Sequence, residues 1–156
     1  MIPGNEKFKF EQVMRDGKKV VNLVGDIDED TNLQPLLRLG SPLTFNFAKV
    51  HSINSCGVRS WVNFLKELGN IAVYYVECPP LIVRQMNMVP SFVGHAQVLS
   101  VYAPFVCDNC DEEKLILVPQ NQFEQLGDMN GGTCEKCGKG EMELDGHPQQ
   151  YTAFSK

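Results

Sequence analysis

The sequence predicts an α/β fold, a mixed β-sheet with packed helices, followed by a small all-β module. Two apolar runs joined by Asp16-Gly17 indicate a hairpin at the start of the chain. Strand and helix patterns then alternate up to about residue 102, which is typical of helices packed on a sheet. Four of the six cysteines form two Cys-x-x-Cys pairs in the remainder. We therefore predict two domains, residues 1–104 and 105–156.

The strands of the first domain are predicted from short apolar or alternating runs. The first two runs are 8–13 and 20–24, and the Asp-Gly turn lies between them. The third run, 43–50, leads into a long helical pattern. The fourth, 71–76, is nearly all apolar, as expected for a central strand that is covered on both faces. We predict the last strand of this domain over 97–106.

Three helices are predicted between these strands. The first covers 30–39, and Pro35 must lie in its first turn because an interior proline would break the helix. The second covers 58–68, where apolar residues recur at i, i+3, i+4 and i+7 and form one buried stripe. The third covers 80–88, with proline at its start and Pro90 after its end.

Charge and composition exclude several classes of function. The 156-residue chain has a net charge of −5, and residues 103–156 carry ten acidic against four basic residues. An acidic module without a basic patch argues against nucleic acid as a partner. The apolar runs are too short for a transmembrane helix, and the first residues lack the apolar core of a signal peptide, so we expect a cytoplasmic protein without a membrane partner. The sequence shows no phosphate-binding loop and no spacing of a catalytic triad, which predicts a non-enzymatic protein.

The two Cys-x-x-Cys pairs have the spacing of metal ligands. Four thiolates would form a closed tetrahedral site, so we predict one structural zinc ion without an open position for catalysis. Strands predicted over 114–118 and 141–144 give the order knuckle, strand, knuckle, strand, which resembles a zinc ribbon. A pair of redox dithiols and two disulfides are the alternatives. The predicted zinc ligands are Cys107, Cys110, Cys134 and Cys137.

A polar turn over 54–57 joins the third strand to the second helix. The turn lies at a helix N-terminus, where backbone N–H groups lack partners and the helix dipole is positive. A phosphate on Ser55 would be well placed there. Ser55 could instead serve only as the helix N-cap, or as a cap within a partner-binding surface. Cys56 and Cys78 are predicted to be buried as small apolar residues.

The element order, the Leu-Val-Gly-Asp-Ile-Asp segment and the 54–57 turn resemble the anti-sigma-factor antagonist (STAS) family over about residues 8–102. In that family, a strand ends in Asp-Ser-Ser-Gly or a close variant, and a helix follows directly. The serine after the acidic residue is the phosphoacceptor of a partner-switching kinase. The resemblance therefore implies that Ser55 is a phosphoacceptor, while Asn54 stands in place of the acidic residue and Cys56 in place of the second serine.

The same resemblance implies a non-enzymatic regulatory protein that docks an anti-sigma factor, a kinase-like protein or another signalling protein. Phosphorylation of Ser55 would add negative charge and oppose docking. The alternatives are a constitutive scaffold without the switch and a zinc- or redox-responsive sensor whose module releases metal on oxidation. The last helix of the family is not found in the sequence, which suggests a homodimer that covers the sheet. The expected partner-binding residues are Asn54, Ser55, Gly57, Arg59, Asn63 and Lys66.

Overall fold

The computed structural model describes residues 8–155, so the first seven residues, whose composition argues against a signal peptide, lie outside the described part. Five strands form a mixed sheet: β1 (Phe8–Arg15), β2 (Lys18–Ile27), β3 (Leu43–Ile53), β4 (Val73–Val76) and β5 (Gln97–Val98). Their spatial order is β1-β2-β3-β4-β5. β1 is antiparallel to β2, and the other neighbouring pairs are parallel. The predicted α/β fold with a mixed sheet is confirmed.

The hairpin turn between β1 and β2 is the one predicted from the sequence. Asp16 and Gly17 both have positive φ, 53° and 79°, as a type I′ turn requires. The turn aligns Arg15 with Lys18 as the first pair of the antiparallel register. Local turn chemistry therefore sets the pairing of the edge strand.

The first predicted helix is shorter than 30–39 and is a 3-10 turn, Gln34–Arg38. Side chains hold the preceding residues in a loop. The backbone N–H of Asp28 donates to Thr31 Oγ1 (2.8 Å), and that hydroxyl donates to the Asp26 carbonyl (3.1 Å). Such local side-chain hydrogen bonds compete with helix formation. The predicted start is therefore wrong, whereas the proline lies in the first turn as expected.

The helix that follows β3, α1 (Ser55–Leu68), begins before the predicted 58–68. Trp61 is fully buried on its inner side. Its Nε1 donates to the Tyr75 hydroxyl (2.8 Å), which in turn donates to the Phe92 carbonyl (2.6 Å). Burial raises the pKa of Tyr75, so its hydroxyl stays protonated as the donor. Three rings of the sheet contact Trp61 and fix α1 against it, namely Phe45, Phe47 and Tyr75. Phe64 of the same helix and Phe92 complete the cluster.

α2 (Pro80–Met88) has the bounds predicted from the sequence, and the short α3 (Pro90–Val93) follows it. Ile82, Val83 and Met86 of α2 are buried, in agreement with the predicted core side of this helix. Within residues 8–155, no helix is long and apolar enough to cross a membrane.

A second, antiparallel sheet follows in the order β7-β6-β8, and the strand predicted over 97–106 is therefore two strands. Its first two residues form β5 in the first sheet, and the rest lies at the centre of the second sheet. A 3-10 helix, Gln120–Asp128, follows β7 and leads to the second cysteine pair. The strands of the second sheet are β6 (Ser100–Cys107), β7 (Glu113–Pro119) and β8 (Met142–Leu144).

The two sheets are joined at the end of β4. A single parallel bridge pairs Cys78 with Val101 of β6. Tyr102 N donates to the Cys78 carbonyl (2.8 Å), and Cys78 N donates to the Ser100 carbonyl (3.3 Å). The bound predicted between residues 104 and 105 lies inside β6, so one strand belongs to the cysteine module and also touches the α/β sheet.

The last described residues pack on α2. They form α4 (Pro148–Tyr151) and a 3-10 turn, Ala153–Ser155. Asn87 of α2 donates through Nδ2 to the Tyr151 carbonyl (3.1 Å), and its Oδ1 accepts from the backbone N–H of Phe154 (2.8 Å). This segment therefore covers part of α2.

Candidate functional site

The four cysteines predicted as ligands converge at one point. Their sulfur atoms lie within 4.8 Å of one another. The Sγ atoms of Cys107 and Cys137 are 3.7 Å apart, and those of Cys110 and Cys134 are also 3.7 Å apart. A tetrahedral site with metal–sulfur bonds of about 2.3 Å has sulfur–sulfur edges of about 3.8 Å, whereas a disulfide bond is about 2.05 Å long. The cluster therefore has the dimensions of a four-thiolate metal site.

Backbone N–H groups point at the sulfurs and suit them to the thiolate form. Asn109 N and Cys110 N donate to Cys107 Sγ (3.3 and 3.4 Å), and Gly140 N donates to Cys137 Sγ (3.4 Å). Hydrogen bonds of this kind orient the ligands and spread the negative charge of a metal–thiolate centre. Two of these three donors, Asn109 and Gly140, are not ligands themselves, so the cysteine spacing alone does not reveal their contacts.

The pKa of Cys137 is lowered to about 6, chiefly by the backbone N–H of Lys139, then by that of Gly140 and the Asn109 side-chain amide. The pKa of Cys110 is raised to about 12. The backbone N–H of Glu112 acts to lower it, but desolvation and hydrogen bonds with the other three thiols outweigh that effect. Metal ions bind deprotonated sulfur, so Cys137 is already in the form that an ion requires at neutral pH.

Gly140 is a part of the site that the sequence analysis missed. A Cβ at this position would lie 2.3 Å from Cys107 Sγ and 2.8 Å from Asn109 Cβ. Its carbonyl also accepts from the backbone N–H of Cys134 (2.8 Å). Glycine is therefore required for the close approach of the second knuckle to the first. The Gly-Lys-Gly run after Cys137 is the signal that could have indicated this constraint.

The two knuckles repeat the same backbone conformation. Asp111 N donates to the Cys107 carbonyl (3.1 Å), and Gly138 N donates to the Cys134 carbonyl (2.9 Å). The residue that follows each pair has positive φ, 64° at Asp111 and 70° at Gly138. Glycine adopts this conformation without steric cost, whereas aspartate does not.

We expect Asp111→Gly to raise the free energy of unfolding by about 0.5–1 kcal/mol, because it removes the cost of positive φ at this turn. Urea denaturation of the metal-loaded protein measures the change. The reciprocal variant, Gly138→Asp, is the control and should lower the stability by a similar amount. A loss of stability in Asp111→Gly would show that its side chain contributes more than the strain costs.

The N-cap of α1 is Asn54, and not Ser55. Asn54 Oδ1 accepts from the backbone N–H of Gly57 (2.8 Å), and Asn54 Nδ2 donates to Glu29 Oε2 (2.8 Å). Ser55 is the first residue of α1 and is exposed. The interpretation of Ser55 as a cap is therefore wrong, because its neighbour already satisfies the amide in the first turn.

The expected partner-binding residues differ in how far they are exposed to solvent. Gly57 is buried, and a Cβ there would lie 2.1 Å from the Ile27 carbonyl oxygen, so it packs beneath the surface. Cys56 is exposed, which corrects its predicted burial, whereas Cys78 is buried as predicted. Burial, followed by the charge of Glu77, raises the pKa of the Cys78 thiol. The expected partner-binding residues that are exposed are Asn54, Ser55, Arg59, Asn63 and Lys66.

We expect Asn54→Ala to lower the free energy of unfolding by about 1 kcal/mol, because the first turn of α1 loses its side-chain acceptor. The matched control is Asn63→Ala, an exposed asparagine within the same helix, which should change the stability by about 0.5 kcal/mol or less. Chemical denaturation of both variants measures the difference. Equal stability of the two would contradict a capping role for Asn54.

Comparison with known proteins gives no assignment. A scan against models of protein families finds none that matches the chain, and a search of curated proteins finds no significant match.

Proposed function

We propose that this chain is a non-enzymatic, cytoplasmic regulatory protein that docks a protein partner through one side of α1. The contact surface is the docking stripe, defined as Ser55, Arg59, Asn63 and Lys66. The exposure of this whole stripe is the observation that carries the proposal. These residues recur at helical spacing and share one side of α1, while the opposite side is fixed in the core by Trp61.

The arrangement of the first sheet supports the STAS-like part of the proposal. An antiparallel edge strand is followed by parallel strands, and α1 begins directly after β3. The polar turn thus lies at the carboxyl end of a central strand, as the resemblance implies. The proposed partner is an anti-sigma factor, a kinase-like protein or another signalling protein.

The charge of the docking stripe indicates what the partner presents. Arg59 and Lys66 are exposed cations, and Asn63 between them is neutral. A complementary partner surface carries carboxylates, which raise the association rate and fix the orientation of docking.

Phosphorylation of Ser55 is the proposed switch. The phosphoryl group would add about −1.5 to −2 charges next to the N-terminal N–H groups of α1, with Arg59 one turn away. An ion pair between them would remove Arg59 from the partner contact. The Glu29 carboxylate, which accepts a hydrogen bond from Asn54 Nδ2 (2.8 Å), disfavours an added negative charge near this turn.

The cysteine cluster is proposed to hold one structural zinc ion. Four sulfur ligands at tetrahedral spacing suit zinc, and a closed four-thiolate site leaves no position for a reacting water. Zinc bound there would cross-link the end of β6 to the second knuckle and would have no catalytic role.

Site-specific photo-crosslinking tests the docking stripe. A photoreactive amino acid at position 59 or 63 should capture the same protein in cells, whereas the exposed control position 113 on β7 should not. In a reconstituted complex, Arg59→Glu should then weaken binding about tenfold or more. Capture from all three positions alike, or unchanged binding by Arg59→Glu, would contradict docking through α1. Incubation of the captured partner with ATP and either wild type or Ser55→Ala tests the switch separately.

A further inference from the structure

A cavity of about 610 Å³ opens at the turn of the β1–β2 hairpin and contacts β3 and β4. It lies on the face of the first sheet that is opposite to α1. The buried row that contacts Trp61 includes Phe45 and Tyr75, and side chains alternate along each strand. Thr44 and Tyr74, which line the cavity, therefore point to the other face.

Positive charge borders this cavity. Arg15, Lys18 and Lys19 line it, and Asp16 is the one carboxylate among its lining residues. Lys19 Nζ donates to the Leu39 carbonyl (2.5 Å), which holds that ammonium beside the loop before β3. Lys18 is exposed and has its charge available to a ligand.

The Arg15 guanidinium is anchored by a carboxylate outside the cavity. Arg15 forms an ion pair with Glu77, whose carboxylate also accepts from Asn46 Nδ2 (2.8 Å) and the Tyr102 hydroxyl (3.2 Å). These contacts fix the position of Arg15 and neutralise part of its charge. Lys18, which by strand alternation shares the face of Thr44 and Tyr74, therefore supplies most of the attraction for an anion, because the Lys19 ammonium is held at the Leu39 carbonyl.

The inner lining is apolar. Val20, Val76, Leu99 and Pro42 contribute aliphatic surface, and the ring of Tyr74 lies among them. Small-molecule sites in proteins have volumes of about 300–1,000 Å³ and combine a mostly apolar lining with a few polar groups that orient the ligand. The cavity has both properties, with the cations at the hairpin.

We propose that this cavity binds an organic anion with an apolar body, in which a carboxylate, sulfonate or phosphate ester faces Lys18. The apolar body of the ligand packs on Val20, Val76 and Tyr74. This site is separate from the docking stripe, which lies on the other side of the sheet, and it does not depend on the proposed docking function. The protein would then have a small-molecule site in addition to the proposed protein-binding surface on α1.

Anilinonaphthalene sulfonate is the probe, since it combines a sulfonate with an aromatic body and reports binding by fluorescence. Lys18→Gln should weaken its binding about tenfold, the loss expected when one charge-assisted contact is removed. The matched control is Lys49→Gln, which removes the same charge from an exposed site on β3 outside the cavity and should change the affinity less than about twofold. Equal affinities of the two variants would overturn the proposal.

Amide chemical shifts locate the probe independently of affinity. Binding in the cavity should shift the amides of residues 15–20, 41, 43, 44 and 74–76 and leave those of Leu115 and Leu117, exposed leucines of β7, unchanged. The neutral analogue phenylnaphthylamine should bind at least about tenfold more weakly than the sulfonate. Shifts centred on β7 would overturn the assignment. Fluorescence that appears only under conditions in which the protein no longer unfolds cooperatively would also overturn it, because the probe would then be binding loosely packed protein.

Discussion

Replacing Cys134 with serine is expected to abolish binding of the proposed zinc ion and unfold the second sheet. Structural zinc in small modules contributes about 10–16 kcal/mol of binding free energy, which is comparable to the whole stability of a typical domain. The module has few other sources of stability near the cluster, because β8 is only three residues long and the second knuckle lies in turns. Amides of β7 and β8 should therefore lose hydrogen-exchange protection.

The measurement combines metal analysis with hydrogen exchange. Wild type should contain one zinc per chain, and Cys134→Ser should contain none. The control is Cys56→Ser, since Cys56 is exposed and lies outside the cluster, and this variant should retain one zinc. The amides of β2 and β3 should keep their protection in both variants, because the aromatic core around Trp61 does not include the cysteine cluster. Retention of one zinc and full protection in Cys134→Ser would refute the four-thiolate site.

The same measurements separate a structural ion from a redox sensor. A structural site should keep zinc until the protein denatures, whereas a sensor should release it at modest doses of peroxide and change its partner binding. The exposed position of Cys110 gives an oxidant access to the cluster, so the outcome depends on how far zinc protects the thiolates.

Gly57→Ala is expected to lower the free energy of unfolding by about 2–3 kcal/mol and the melting temperature by about 5–10 °C. The added Cβ would lie 2.1 Å from the Ile27 carbonyl oxygen and 2.6 Å from its carbonyl carbon. These backbone atoms lie at the end of β2, where Ile27 pairs with Ile53 of β3 and its carbonyl accepts from the backbone N–H of Asn54 (3.3 Å), so they are held in place. Alanine favours a helix over glycine by about 1 kcal/mol, so the sign of the change isolates the clash.

The matched control is Gly127→Ala. Its Cβ would meet the Pro148 ring at 3.2 Å, and that ring belongs to the short α4, which can shift slightly. We expect this variant to lose about 1 kcal/mol or less. Calorimetry of both variants measures the difference. A neutral or stabilising Gly57→Ala would mean that α1 does not pack against the end of β2 as closely as described.

Local sequence signals were enough for the features that depend on neighbouring residues. The Asp-Gly turn, the proline at the start of α2 and the two cysteine pairs each specify a conformation over a few residues, and all are found as predicted. The division of 97–106 into β5 and β6, in contrast, depends on a contact between residues that are distant in sequence. Both halves of 97–106 are apolar, and only the bridge from Cys78 to Val101 decides where the chain leaves the first sheet.

The missed parts of the site depend on contacts between distant residues. Gly140 matters because Cys107, far away in sequence, presents its sulfur there. Cys56 is exposed because it lies on the outer side of the first turn of α1. The apolar pattern used to predict the helix begins only at Val58, so it gave no information about this turn. Asn54 was assigned to the partner surface, but its capping bond could be recognised only when the true start of the helix was known.

The contact between Asn54 and Glu29 links two positions that sequence comparison would treat separately. Asparagine can cap α1 through its oxygen and at the same time donate to the Glu29 carboxylate through its nitrogen. Aspartate would keep the cap but set two carboxylates against each other. In relatives of this chain, an acidic residue at position 54 should therefore occur with a neutral or basic residue at position 29. The asparagine of this turn is then one half of a compensated pair, whose other half lies in the loop after β2.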